Sequence, residues 1–313
     1  MTEIRKLREH ETAGDPITGL KWTRRTTRKI SEQLGCVGLD VSPRTVARLL
    51  KNVGFSLRVN HKSVSTTLSK DRDRQFRKIQ KQRGAFVSAG LPIISVDTKK
   101  KELVGNFKNP GTTWEVSPTL VLDHDFRSDA AGIAVPYGIL DLQADRGRVF
   151  VGLSHDTSAF AVDALVHWWT HEGHRTYSDA DHLLILADTG GSNGARVRAW
   201  KFELQHKLCD AFGIAVTVCH YPSGASKWNP VEHRLFAPIS QNWQGRPLDS
   251  LPTILNYIRT TTTSTGLKVS ASMTRRQYPV GVKIPDEQMA ELKLHGHKVL
   301  PKWNYTIRPS TTH

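Results

Sequence analysis

Leu91 to Lys101, LPIISVDTKKK, constrains the fold of this chain more than any other stretch. Pro92, Ile93, Ile94 and Val96 are too apolar and too β-branched for a surface, so the run reads as a buried central strand. Asp97 closes it. A carboxylate at the edge of a core strand must meet a cation, a metal ion or water, because an unpaired buried charge is costly. Lys99, Lys100 and Lys101 follow at once. They either neutralise Asp97 or help build a place where a metal and a phosphate backbone meet. A strand-end aspartate that only caps the next turn is the simpler alternative.

The other elements fall into a definite order after that strand. Residues 99–132, with Asp123, Asp125 and Asp129, read as an insertion. Ile133 to Leu142 and Arg148 to Leu153 read as strands separated by the hairpin signal Asp145-Arg146-Gly147. A helix over 157–171 buries Phe160, Leu165 and Trp168, with Trp168-Trp169 expected in the core. Leu183 to Ala187 is a strand ending in Asp188 and TGGSNG. An amphipathic helix over 195–212 carries Val197, Trp200, Leu204, Leu208 and Phe212, Ile214 to Cys219 is a fifth strand, and Asn229-Pro230 opens a helix through about Trp243. Three strands suited to antiparallel pairing, then alternating helices and strands, is the order of a ribonuclease H-like domain: an α/β fold with a mixed sheet flanked by helices. The first and fourth strands are neighbours in such a sheet. Asp97 and Asp188 would then converge, and Glu232 on the last helix would reach them.

Three carboxylates at one place repel each other unless positive charge lies between them, and two divalent ions about 4 Å apart are the usual solution. Oxygen donors select Mg²⁺ or Mn²⁺. Asp97 would be shared by both ions, with Asp188 and Glu232 each holding mainly one. Two of these residues have strong alternatives. With Asn229 as N-cap and Pro230 first, Glu232 completes a capping box that needs no metal. A strand ending in DTGGSNG could instead cradle phosphate, although neither GxGxxG nor GxxxxGK[ST] occurs.

Other residues are candidates for supporting roles. His220 and His233 lie near the proposed site and could orient water or contact phosphate, unless His220 is a satisfied strand-end residue. Lys227, Trp228 and Asn229 precede the last helix and could grip a DNA strand by charge and stacking, unless Trp228 belongs to the core. Asp123, Asp125 and Asp156 are reserve carboxylates. His167, His171 and His174 lack the HExxH glutamate and read as solvated or stacked rather than as zinc ligands.

Charge is segregated along the chain. Residues 1–84 carry 20 Lys and Arg against 8 Asp and Glu, residues 85–265 carry 16 against 18, and residues 266–313 carry 8 against 3. A basic first module joined to a nearly neutral one suits a polyanion, and nucleic acid is the obvious one. Within that module Thr23 is expected to cap a helix to about Leu34, with Ile30 and Leu34 on one face and Gly35 as the stop. Ser42-Pro43 opens a second helix with Val46, Leu49, Leu50 and Val53 inward, ended by Gly54. Asp71 to Arg83 is expected to lead helically into the next domain. The pair resembles a helix-turn-helix whose second member presents Arg44, Thr45, Arg48 and Lys51 to the major groove. A structural helix bundle with a solvated basic face is the alternative. The expected domains are therefore 1–84, a helix-turn-helix module; 85–265, a ribonuclease H-like catalytic domain; and 266–313, a basic extension adding phosphate contacts. Lys99 and Lys100 are further candidates for contact with DNA.

Cys36, Cys209 and Cys219 lie far apart with no CxxC spacing, which argues against a zinc knuckle or a disulfide framework. No run of about eighteen apolar residues occurs, and MTEIRKLREHETAGD lacks the apolar core of a secretory signal, so no membrane association and a cytoplasmic location are expected.

The segments SVDTKKKELVGNFKN, ADTGGSNGARVRAWK, SKWNPVEHRLF and the closing WNYTIRP resemble those of insertion-sequence DDE transposases, in particular the Rhodopirellula-type transposase DDE domain. The likeness runs from about Lys21 to Pro309. It implies a ribonuclease H-like core with the DDE triad on Asp97, Asp188 and Glu232. It also implies metal-dependent cleavage at transposon ends, joining of the freed 3′ hydroxyl to target DNA, work as a homo-oligomer on double-stranded DNA, and a bacterial, nucleoid-associated setting. Members of that family extend further at the N-terminus, so a first set of DNA-binding helices is expected to be missing here. Thr189 stands where the family has Gly. Two rival functions share these residues: a metal-dependent, structure-specific nuclease without strand transfer, and an inactive transposase-derived DNA-binding regulator.

Overall fold

The apolar run at 93–96 forms a strand at the centre of a large sheet, with Ile93, Ile94 and Val96 at or below 1% exposure. The structure, a computed structural model, describes residues 13–14, 21–22, 26–52, 55 and 71–310. Its contacts divide into two compact units, Met1–Val64 and Ser65–His313.

In the first unit β1 (Ala13–Gly14) pairs antiparallel with β2 (Lys21–Trp22). Two ten-residue helices follow, α1 (Thr27–Cys36) and α2 (Pro43–Asn52). Thr26 caps α1, its hydroxyl accepting the N–H of Lys29 at 3.3 Å, and Ser42 caps α2 by accepting the N–H of Thr45 at 3.2 Å. Ile30, Leu34 and Val46 are buried between the helices, with Leu49 and Leu50 packed beside them. Of the expected boundaries, Thr23, Val53 and Gly54 lie outside the described residues.

The second unit is built on β3 (Ile93–Thr98), β4 (Glu102–Val104), β5 (Gly132–Asp141), β6 (Arg146–Gly152), β7 (His182–Ala187), β8 (Ala215–His220), β9 (Lys268–Thr274), β10 (Leu294–Gly296) and β11 (Asn304–Ile307). The sheet order is β10-β11-β8-β7-β3-β5-β6-β9, with β4 on the start of β5. β5 runs antiparallel to both β3 and β6, whereas β7 is parallel to β3 and to β8. This mixed five-strand centre is the ribonuclease H-like arrangement that the element order predicts.

Among the described residues the helices beside the sheet include α3 (Arg72–Ser88), α4 (158–176), α5 (198–212), α6 (232–242), α7 (Leu251–Arg259) and α8 (Asp286–Glu291). α4, α5 and α6 each contain one π-helical turn, at Trp169–Gly173, Gln205–Cys209 and Glu232–Phe236. One face of the sheet buries Ile94, Val96, Leu183, Ile185, Val216 and Val218 under Phe160, Trp168, Trp200 and Leu204 of α4 and α5. The other face is covered by α3 through Ile79 and Phe86, and by α6 and α7 through Val231, Leu235, Phe236 and Ile254. Trp168 and Trp169 are core residues, as expected.

Two features differ from the sequence-based expectation. Helix α3 does not close the basic module; Gln75 is fully buried, donating to the carbonyl of His220 at 2.8 Å and to Oδ1 of Asn304 at 2.9 Å. Residues 266–313 are not an appendage, because β9 extends the sheet beside β6 and β11 extends it beside β8. Both strands are short or Ser/Thr-rich, KVSASMT and NYTI, and strands of that kind carry little hydrophobic periodicity. Among the described residues no helix is long and apolar enough to cross a membrane.

Candidate active site

Side chains alternate across a strand, so parity decides which residues share a face. Ser95 of β3 is opposite Leu186 of the parallel β7, and Asp97 and Asp188 each lie two residues further on. Both acids therefore emerge side by side on the face that carries Ile93, Leu184 and Leu186, the face covered by α3 and α6. α6 opens with Glu232.

The acids interact. Asp97 is pushed up to about 8 by burial first, then by the charge of Asp188, and further by the charge of Glu232 and a hydrogen bond with it; the N–H of Thr98, donating to its Oδ1 at 2.8 Å, opposes these effects. Asp188 is pushed up to about 6 by burial and by Glu232, against a hydrogen bond from Asn229. Among the described residues no three His, Cys, Asp or Glu side chains are gathered tightly enough to enclose an ion by themselves. The electrostatic coupling shows an approach of three carboxylates, which is a weaker arrangement than a closed cage. The donor set itself fits a divalent, oxygen-seeking cation: three half-buried carboxylates, of which Asp97 and Asp188 are raised by burial and by neighbouring acids, with no cationic side chain among the causes of those two shifts.

Asn229 ties the pieces together. Its side-chain amide donates to Oδ1 of Asp188 at 3.1 Å and to the carbonyl of Val96 at 3.2 Å, and its Oδ1 accepts the hydroxyl of Ser95 at 2.5 Å. The same hydroxyl accepts the N–H of Val231 at 2.9 Å. The capping-box alternative therefore fails, because the Asn229 side chain is spent on Asp188 and the sheet, and only its backbone carbonyl meets the N–H of Glu232, at 3.1 Å. Gly138, the register partner of Asp97, lets α6 come close. A Cβ there would fall 2.6 Å from Cζ of Phe236 and 3.2 Å from Cγ2 of Val231. Ser95 and Gly138 are not candidates from sequence alone, although the short polar Ser95 inside an apolar strand is a signal, and Asn229, expected as a helix cap or a DNA contact, instead holds Asp188.

The remaining candidates scatter. Lys99 is corrected: it is 8% exposed, its Nζ 2.7 Å from Glu102 Oε1 and 4.5 Å from the ring centre of Trp243, so it faces inward and not toward DNA. Its position two residues after Asp97 puts it on the acid's side of the strand, but beyond β3 the chain turns toward β4. Lys100 is exposed. Trp228 is not core; it is 53% exposed, edge-on to Phe76 of α3 at 5.9 Å, with Lys227 Nζ 5.7 Å from its ring centre. Arg44, Arg48 and Lys51 are exposed along α2, and Thr45 is half-buried, its hydroxyl 3.0 Å from that of Ser42. His220 is fully buried on the opposite face from the acids and held neutral, down at about 4, by that burial, so it touches no phosphate. His233 is exposed. Asp156 accepts the hydroxyl of Thr98 at 3.0 Å, a residue whose side chain alternates to the other side of β3 from Asp97, whereas Asp123, Asp125 and Asp129 are exposed in the insertion. His167 and His171 are stacked, ring centres 4.1 Å apart.

Comparison with known proteins adds the following. The chain is similar in fold to a Mos1 transposase paired-end complex with left transposon end, at 14% identity over 82% of this chain and 69% of that one, with a TM-score of 0.46. It is also similar to the Mos1 strand transfer complex, at 15% identity over 82% and 68% with a TM-score of 0.45, and to the Mos1 mariner paired end complex with Mn, at 15% over 75% and 65% with a TM-score of 0.44. It thus spans about two thirds of the length of those proteins. No curated protein matches it in sequence. The family model for the Rhodopirellula transposase DDE domain matches residues 3–309, and the chain belongs to that family.

Proposed function

We propose that this protein is a DNA transposase whose metal-binding triad is Asp97, Asp188 and Glu232, cutting transposon ends and joining the 3′ hydroxyl to target DNA. The observation that carries the reading is the approach of Asp97 and Asp188, both raised by burial and by the charge of Glu232, in a chain of a transposase DDE family. Two bound Mg²⁺ or Mn²⁺ ions would supply activation of the attacking oxygen and stabilisation of the leaving oxygen. Asp97 and Asp188 must shed their protons to act as ligands, and the Asn229 amide holds Asp188 oriented as they do so. Glu232, fixed at the first turn of α6, completes the donor set. Trp228 and Lys227 offer a stacking face and a charge to a DNA strand entering beside α6, and Lys100 a further phosphate contact. In the first unit Arg44, Thr45, Arg48 and Lys51 form the recognition face of a helix-turn-helix that positions double-stranded DNA. Multimerisation on that DNA is part of the proposal.

The test is incubation of the protein with DNA carrying the inverted repeats that flank its gene, in Mg²⁺ or Mn²⁺. Joined products are expected. Cleavage without joining would identify the nuclease instead, and binding without cleavage the regulator. Asp97→Asn should lower cleavage by more than the roughly 10- to 100-fold that loss of an outer-shell partner costs; full activity in that variant would remove Asp97 from the site.

A further inference from the structure

Asp188 stands one residue past the end of β7, where the ladder to β8 gives out. The carbonyl of Ala187 still accepts the N–H of Tyr221 at 2.8 Å. The next carbonyl, that of Asp188 itself, meets Nδ1 of His220 at 2.8 Å. Nε2 of the same ring lies 3.1 Å from the hydroxyl of Tyr305, which in turn lies 3.1 Å from Nε1 of Trp200. Trp200, His220 and Tyr305 are each at most 1% exposed.

The direction of this chain is forced by its ends. An indole N–H only donates and a backbone carbonyl only accepts. Trp200 must therefore donate to the Tyr305 oxygen, Tyr305 must pass its own O–H to Nε2 of His220, and His220 must carry its proton on Nδ1 and donate to Asp188. The other imidazole tautomer would set a lone pair against the carbonyl oxygen. We infer that His220 and Tyr305 are positioning residues for the metal site: the Tyr305 hydroxyl anchors Nε2 of His220, whose Nδ1–H fixes the Asp188 peptide and with it the aim of the carboxylate toward Asp97. The inference rests on the reading of Asp188 as a metal ligand. It also gives a role to WNYTIRP, which supplies Tyr305 from β11. Partners that orient a ligating group in this way set metal affinity without touching the metal.

The test compares the unaltered chain with Tyr305→Phe, Trp200→Phe and Asp188→Asn. ¹⁵N NMR of the metal-free protein reads the His220 tautomer, and Mn²⁺ electron paramagnetic resonance reads affinity. The unaltered chain should show His220 protonated on Nδ1. Tyr305→Phe should keep the proton on Nδ1, where the Asp188 carbonyl holds it, but strips Nε2 of its partner, so the ring loses its anchor and Mn²⁺ should bind about 10- to 100-fold more weakly. Trp200→Phe leaves the Tyr305 hydroxyl free to serve His220, so tautomer and affinity should both persist although this variant opens the larger cavity. His220 protonated on Nε2 in the unaltered chain, unchanged Mn²⁺ affinity in Tyr305→Phe, or an equal loss in Trp200→Phe would each overturn the inference. Asp188→Asn should lose Mn²⁺ binding. If it does not, the metal-site reading fails, and the tautomer, which needs no metal to be measured, still decides whether the hydrogen-bonded chain exists.

Discussion

Asp97 is a carboxylate whose surroundings oppose its ionisation. Its folded pKa, about 8, lies above the value of roughly 3.9 for an unperturbed aspartate, so the folded chain binds this proton more tightly than the unfolded one. The stabilisation is complete below about pH 4 and is lost as the pH rises through about 8. Thermal melting of the metal-free protein should therefore fall over that interval, and added Mn²⁺ should restore it most at the alkaline end. Asp97→Asn removes this group's proton linkage and leaves that of Asp188, which is held up at about 6. It should flatten the profile above about pH 6 and raise the melting temperature at pH 8 by about 2–4 °C, for a gain on the order of 1 kcal/mol. A variant less stable than the parent at pH 8 would mean that the acid is satisfied by something other than a proton or a metal. The candidacy of Asp97 was legible in the sequence because a charge closing an apolar strand has few ways to be tolerated. The role of Asn229 was not, since Asn before Pro is also a good helix cap, and only the sheet register shows that its amide turns to Asp188 instead.

At the scale of elements, the site depends on how near α6 can come to β5. Gly138 sets that distance, and Gly147 repeats the device one strand over, where a Cβ would meet Cδ1 of Leu235 at 2.5 Å. Gly138→Ala should destabilise the fold by roughly 1–3 kcal/mol, the usual cost of overpacking. It should also lower metal-dependent cleavage, because Glu232 rides on the displaced helix; denaturant melts and a cleavage assay on the same preparation measure both. Unchanged stability would show that α6 is free to shift. The order of strands and helices could be read from periodicity, and it was enough to place the first and fourth strands together. Glycines needed for close approach could not be read, because an isolated Gly in a strand looks the same whether it marks a bulge or a packing contact. β9 and β11 also escaped notice. Their partners lie more than 80 residues away in sequence, as the pairs Arg146 with Lys268 and Val216 with Ile307 show, and nothing local in KVSASMT or NYTI announces them.

On the scale of the whole molecule, positive charge is concentrated in the first unit, which carries 13 Lys and Arg against 6 Asp and Glu over 64 residues, where the much longer second unit carries 31 against 23. If α2 is a recognition helix, removing each side chain that neutralises a phosphate should reduce the salt dependence of DNA binding by about 0.9 in log–log slope. Replacing Arg44, Arg48 and Lys51 together by Ala should thus weaken DNA binding and flatten that slope while leaving Mn²⁺ affinity unchanged. An unaltered slope would make α2 a solvated face of a helical pair. The central claim is that the second unit joins three acids into one divalent-cation site, and calorimetric titration of Mn²⁺ into the purified chain and into Asp97→Asn, Asp188→Asn and Glu232→Gln tests it most directly. Saturable binding to the unaltered protein is expected, with a loss of affinity of at least about tenfold in every variant; equal affinity in any one of the three would remove that acid from the site.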